Sequence, residues 1–464
     1  MPRQMTSEEK LVYMTETPLP KLVFTLAVPT IISMLITSFY NMADTYFVGL
    51  IGSASATGAV GVVFPLMSIM QAVGFMFGHG SGNHISRVLG AGDTEDAQRM
   101  AATGFFSAFI AGLIIMLLGL LAAEPLVFAL GSTETIAPYA GEYIAYLMPG
   151  APFLVASLVL NNQLRFQGSA FYAMIGITSG AVLNVALDPL FIFVFEMGVA
   201  GAALATSISQ IVSFVLLLIG TRRGGNIPIR FKSFTPTTEN FREIFRGGVP
   251  SLARQGLASL ATVCLNVASG GYGDAAIAAM SIVSRIMQMA GSAIIGFGQG
   301  FQPICGFNYG AKLYGRVRSA FWFCVKVCFG MLLVIAAVAM FFAPQIVRLF
   351  LQNDMQVQEI GSLALRLQCL FLPLFSFVII SNMMLQTMGM AGKATLLAAS
   401  RQGLFFIPTV FILERGFGLL GVQMSQTVAD LLSFILAVPL TLSVLRELKR
   451  REEEPDGART ENFK

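Results

Sequence analysis

Charge is what this chain has least of: 12% of its 464 residues are Asp, Glu, Lys or Arg, against 55% hydrophobic. Soluble domains carry about a quarter charged residues, so this composition excludes an ordinary soluble protein and indicates a polytopic membrane protein. Histidine is scarcer still. His79 and His84 are the only two, too few for a zinc site, and they read as polar groups at helix ends or in loops. Five cysteines, Cys264, Cys305, Cys324, Cys328 and Cys369, lie in or beside apolar segments, with only Cys324 and Cys328 one helical turn apart. They read as packed hydrophobes, not a disulfide frame or metal site. No Gly-Lys-Ser/Thr follows Gly296-Phe297-Gly298-Gln299-Gly300, so glycine-rich pieces like this one read as ends of membrane helices, not nucleotide loops. The lack of any ATP motif points to a gradient as the energy source. Met1 to Lys21 is polar and precedes a full-length apolar span, so no cleavable signal peptide is apparent.

What the chain has is long apolar runs. Twelve of them, at roughly 22–48, 57–79, 100–121, 138–158, 168–194, 198–220, 244–270, 276–300, 320–342, 363–385, 393–413 and 419–445, are near the length of about 20 residues that crosses a bilayer. Without alternation, such runs are helices. Loops after even-numbered spans carry Arg87, Arg99, Arg165, Arg222, Arg223, Arg230, Lys232, Arg242, Arg246, Lys312, Arg316, Arg318 and Lys393, while those after odd-numbered spans carry only Arg348 and Arg415. This bias puts both termini in the cytoplasm, in a multi-pass protein of the plasma (inner) membrane. The net charge of +4 therefore reflects topology and lipid headgroups, not a nucleic-acid partner.

The chain also repeats itself, with a period of about 220 residues. Ala27-Val28-Pro29 is echoed by Gly248-Val249-Pro250, Gly78-His79-Gly80 by Gly298-Gln299-Gly300, and Gly198-Val199-Ala200-Gly201 by Gly418-Leu419-Leu420-Gly421. Two six-helix halves follow, and since six is even they run parallel, related by a pseudo-two-fold axis along the membrane normal. The expected division is a cytoplasmic segment 1–21, an N-lobe 22–220, a basic linker 221–243, a C-lobe 244–446 and a charged tail 447–464.

Three carboxylates fall inside spans: Asp44, Asp188 and Asp430. Charge at membrane depth is costly and usually functional. Asn184 lies four residues before Asp188 and Tyr40 four before Asp44, so each pair shares a helix face. Counting about 1.5 Å per residue from the span ends puts Asp44, Asp188 and Thr206 in the outer half of the membrane. Tyr40, Asp44, Asn184, Asp188 and Thr206 can thus face one polar site, and no Lys or Arg falls within the N-terminal spans. Unpaired acids in low dielectric carry protons or bind a small cation such as Na+. The second half has apolar residues or Thr409 at the matching positions, so the pair is confined to one half. Asp430, opposite Gln210 in the repeat, can neutralise Arg401 or Arg254 or join a substrate path.

Asn41-Met42-Ala43-Asp44-Thr45-Tyr46-Phe47-Val48-Gly49, the Gly58 to Pro65 region, Asn184-x-x-x-Asp188-Pro189 and the two halves resemble a multidrug and toxic compound extrusion (MATE) transporter over about residues 15–445. The resemblance is to the bacterial and archaeal branch with its acidic cluster in the N-terminal lobe. It implies two lobes in a V around a central cavity, and export of amphipathic organic cations in exchange for H+ or Na+. The branch's first-helix proline matches Pro29, fifteen residues before Asp44, while the acids another branch keeps in its seventh and tenth helices are absent here.

The expectation is therefore an all-α antiporter, not an enzyme, without cofactor or ATP and acting as a monomer on small organic cations. Asp44, Asn184, Asp188, Thr206 and Tyr40 would couple the ion, with Na+ possible at the first four. Asn161, Asn162, Gln210, Asn382 and Asp188 would line the substrate cavity, and Pro29 would be the hinge where a backbone hydrogen bond is missing. A flippase for lipid-linked glycans is the alternative; it would need a cationic cavity, and Arg254, Arg285, Lys326, Arg366 and Arg401 lie in second-half spans.

Overall fold

A computed structural model describes residues 5–350 and 354–453, so the end of the charged tail lies outside the described residues. Among these the chain forms helices and no strands. The N-terminal half comprises α1 (Ser7–Glu16), α2 (Leu19–Gly49), α3 (Ala54–Gly90), α4 (Thr94–Leu121), the short α5 (Ala123–Ala129), α6 (Ala137–Leu147), α7 (Ala151–Phe166), α8 (Ala170–Pro189) and α9 (Gly198–Gly220). The C-terminal half comprises α10 (Thr238–Gly270), α11 (Asp274–Gly310), α12 (Tyr314–Phe341), the short α13 (Ala343–Phe350), α14 (Met355–Cys369), α15 (Phe375–Thr387), α16 (Ala391–Ala399), α17 (Ile407–Phe417) and α18 (Leu419–Glu453).

Ten helices or joined helices are long and apolar enough to cross a membrane, and α14 with α15, bent by 46° at a short break, makes an eleventh. The twelfth is α10, which has 33 residues but carries Arg242, Glu243, Arg246, Arg254 and Gln255. The result is a twelve-helix, two-lobed membrane protein. Side-chain caps start several of these helices: Asp93 accepts from the amides of Glu95 and Asp96, and Thr237 accepts from that of Asn240, satisfying donors a first turn leaves open.

The lobes meet through a symmetric pair of contacts. α3 packs on α10, and α11 packs on α2; the internal repeat exchanges one contact for the other, as a pseudo-two-fold requires. α3 and α11 are each 37 residues long, about ten longer at their C-terminal ends than the apolar runs suggest. The glycine-rich pieces that read as helix ends stay helical because they let backbones meet: a Cβ on Gly80 would lie 2.1 Å from the Ile244 carbonyl oxygen, and one on Gly300 2.5 Å from the Ala27 Cα.

Two more expectations need correction at this interface. His79 is not at a helix end but buried within α3, bonded to the Phe75 carbonyl and to Arg165. Arg165 is not a loop residue: α7 runs on to Phe166, and the arginine is 2% exposed, bonded to Gln299 across the interface and to Asn162 on its own helix. Once α7 and α11 close over it, its stem packs where the linear pattern placed solvent. His84 joins Asp96 at 2.6 Å and Glu243 at 3.5 Å, and Arg87 holds Glu243 at 3.1 Å and the Thr387 carbonyl at 2.8 Å. The polar segment before the first span also has structure, with a Thr6/Glu9 capping box starting α1.

Candidate functional site

The N-lobe site is built from α2, α6, α8 and α9. α8 and α9 approach closely because Gly176 and Gly180 carry no side chain; a Cβ on Gly180 would lie 1.9 Å from the Ser213 hydroxyl. That contact sets Asn184 of α8 against Thr206 of α9. With the Asn184 amide nitrogen 3.1 Å from Asp188 Oδ2, its oxygen accepts from the Thr206 amide and hydroxyl, both at 3.2 Å. Pro189 has no N–H to offer the carbonyl of Val185, and the following turn widens into a π-helix over Leu190–Val194. Asp188 thus sits where α8 changes pitch.

From α2, Asp44 comes close enough to Asp188 to interact with it electrostatically. Tyr40, one turn away, reaches Thr206 and feels both carboxylates. Asn184, Asp188 and Thr206 are buried; Asp44 is half-buried. One oxygen of each carboxylate, Oδ1 of Asp44 and Oδ1 of Asp188, is buried without a partner, and neither acid has an ion pair among the described residues. Such a pair can balance its charge by taking up a proton or by holding a small cation.

Sequence reasoning missed Tyr143 of α6. It is fully buried, its hydroxyl has no hydrogen-bond partner, and it faces Asp44, Asp188 and Tyr40 electrostatically. Nothing in the linear pattern separates it from Tyr139 and Tyr146 on the same helix; only the packing of α6 on α9 brings it to the acids.

The other expected residues lie elsewhere. Asn161 is buried and donates to the Ala173 carbonyl at 3.0 Å, and Asn382 makes the equivalent bond to Ala394 at 2.7 Å: each clips the turn between consecutive helices. Asn162 is buried against Arg165, and the Gln210 carbonyl takes a bond from Ser157 at 3.4 Å. Asn382 also borders a C-lobe cavity of about 370 Å³. Asp430 pairs with Arg401, Nε to Oδ1 at 2.7 Å and Nη2 to Oδ2 at 3.4 Å, while Gln426 donates to Oδ1 at 2.8 Å. Pro29 lies within an unbroken α2, leaving the Thr25 carbonyl without its usual helical donor.

The MatE family model matches residues 29–190 and again 250–412, once in each half. Among curated proteins, the chain is 29% identical over 445 residues to the multidrug export protein MepA of Staphylococcus saprophyticus subsp. saprophyticus, covering 95% of this chain and 97% of that one. It is 29% identical over 442 residues to MepA of Staphylococcus aureus strain N315, with the same coverage. Among solved structures, a multidrug resistance MATE transporter of the MOP superfamily in an outward-facing conformation superposes with a TM-score of 0.88 at 28% identity, over 95% of this chain and 98% of that one. With both halves matched by the model and the two-lobed fold shared, this chain belongs to the multidrug and toxic compound extrusion (MatE) family.

Proposed function

We propose that this protein is a secondary active multidrug exporter that exchanges H+ or Na+ for amphipathic, mostly cationic organic compounds by alternating access. The observation that carries this reading is the pairing of half-buried Asp44 with buried Asp188, with Asn184, Thr206 and Tyr40 around them and no basic partner. The ion binds there, where these oxygens suit either a protonated acid or sodium. Its arrival neutralises the site, weakens the hold of the N-lobe on a cationic cargo, and lets α2 bend at Pro29. The names of the MepA relatives support multidrug export.

In this reading the lobes are 22–220 and 244–446, joined by the linker 221–243, and the protein works as a monomer in the plasma membrane with both termini in the cytoplasm. The interlobe contacts of Arg87, Arg165 and Glu243 then close the cytoplasmic end. The test is dye efflux from proteoliposomes under a pH gradient alone and a sodium gradient alone, with Asp44→Asn and Asp188→Asn proteins. Full gradient-driven efflux by either variant refutes the mechanism. The flippase alternative has one observation in its favour, an unpaired arginine in the C-lobe; gradient-driven transport of a cationic dye by the purified protein decides against it.

A further inference from the structure

The two lobes carry opposite charge. The N-lobe site holds two acids and no base, whereas the C-lobe cavity of about 370 Å³ is lined by Arg254 and Arg401. Arg401 is matched by Asp430. Arg254 is matched by nothing: its Nη1 is buried without a hydrogen-bond partner, and no ion pair forms on it among the described residues. Across the interface stands a second arginine without a carboxylate, Arg165, close enough for the two guanidinium groups to repel. A guanidinium with a buried donor left open is an incomplete arrangement in low dielectric, where an unpaired charge is most costly. The missing group is an anion.

The rest of the cavity describes the body of that ligand. Gln255 and Gln288 add hydrogen-bonding groups beside Arg254, while Met287, Ile379, Leu397 and Phe406 supply an adaptable apolar wall. A small inorganic anion would leave that wall unused. We propose that the C-lobe cavity is a binding site for an amphipathic anion, with its carboxylate or phosphate head on Arg254 and its apolar body against the thioether and aliphatic side chains. The site is separate from the acid cluster and goes beyond cation export: the protein accepts anionic amphipaths as well as cations. The occupant is either a soluble amphipath or an anionic lipid.

The full-length protein in phosphatidylcholine nanodiscs is titrated with dansyl-undecanoate, its methyl ester, and a dansyl quaternary ammonium of equal chain length. The carboxylate binds saturably and the ester does not. Arg254→Gln raises the Kd for the carboxylate by about tenfold or more; Arg254→Lys recovers part of the loss. Binding of the quaternary ammonium is unchanged in both, which also shows that they are folded. If Arg254→Gln does not yield folded protein, Ala258→Glu sets a carboxylate one turn along α10 in the same cavity, and abolishes carboxylate binding with the arginine kept. Equal binding of the ester, or a carboxylate Kd unmoved by these variants, overturns the proposal. Repeating the titration with about 30% phosphatidylglycerol identifies the source: competition marks a lipid headgroup as the resident anion, and unchanged binding marks a soluble amphipath. The acid-cluster variants leave carboxylate binding intact, so this site and the export mechanism stand or fall separately.

Discussion

Gly90 of one lobe meets Phe307 of the other so closely that a β-carbon on Gly90 would lie 2.2 Å from the Phe307 carbonyl oxygen. The repeat reproduces the contact, since one on Gly310 would lie 1.9 Å from the Arg87 carbonyl oxygen. Both obstacles are backbone, which cannot swing aside. Gly90→Ala and Gly310→Ala therefore oppose closure of this end by about 1–3 kcal/mol, shifting the balance toward its open state by roughly 5- to 150-fold. Spin-label distances across that end should lengthen and dye efflux should fall. Gly330→Ala, with nothing within 4 Å, is the control. Unchanged distances in Gly90→Ala would show that the helices absorb the methyl.

The acid pair separates stability from function. Asp44 and Asp188 repel each other, so replacing either with Asn removes an unfavourable interaction. Thermal unfolding of Asp188→Asn should occur at an unchanged or higher temperature, while gradient-driven efflux drops about tenfold or more, a barrier change of about 1.4 kcal/mol or above. Tyr143→Phe should give a smaller loss of efflux with no loss of stability, because its hydroxyl makes no hydrogen bond to forfeit. A marked fall in the unfolding temperature of Asp188→Asn contradicts this account.

Arg401 and Asp430 form an unequal pair: the acid side chain is 1% exposed and the arginine 22%. Arg401→Ala strands a buried carboxylate with only Gln426 as donor and should cost about 3–5 kcal/mol. Asp430→Ala should cost less, since the guanidinium, stacked 4.1 Å over the Phe375 ring, borders the cavity and can hydrate. Replacing both by apolar residues should recover most of the loss in a chemical or thermal unfolding series. Equal costs for the two single variants would be the contrary result.

Lys10 gives a dependence on pH. It is buried between α1 and the linker, donating to Asn226 at 2.7 Å and to Ser169 at 3.2 Å with no carboxylate bonded to it, and burial lowers its pKa from 10.5 to about 7. The folded state thus binds fewer protons than the unfolded chain between those values, so stability rises with pH across that window. The penalty for burying the ammonium is fully present below about pH 7 and disappears as pH approaches 10.5. Lys10→Met should flatten this slope and raise the unfolding temperature most at pH 6. A slope identical to that of the parent protein would exclude Lys10 as its source.

The chain's own order determines more here than in most soluble folds. Lipid leaves helices as the choice for long unbroken apolar runs, so span number, the parallel repeat and the grouping of Asn184 with Asp188 on one helix face follow from spacing and hydropathy alone. Helix ends were less legible, because the glycines that punctuate a linear pattern serve in α3 and α11 as contact surface between lobes. What only the tertiary structure decided is which charges meet. Arg165 looks like a loop cation until α7 and α11 close over it, Tyr143 looks like its neighbours until α6 packs on α9, and Asp430 could serve either of two arginines until the helices place it on Arg401. Periodicity fixes the face a residue occupies on its own helix. The partner across the gap depends on how two helices rotate and approach, and that is set by many small packing contacts spread over the whole chain.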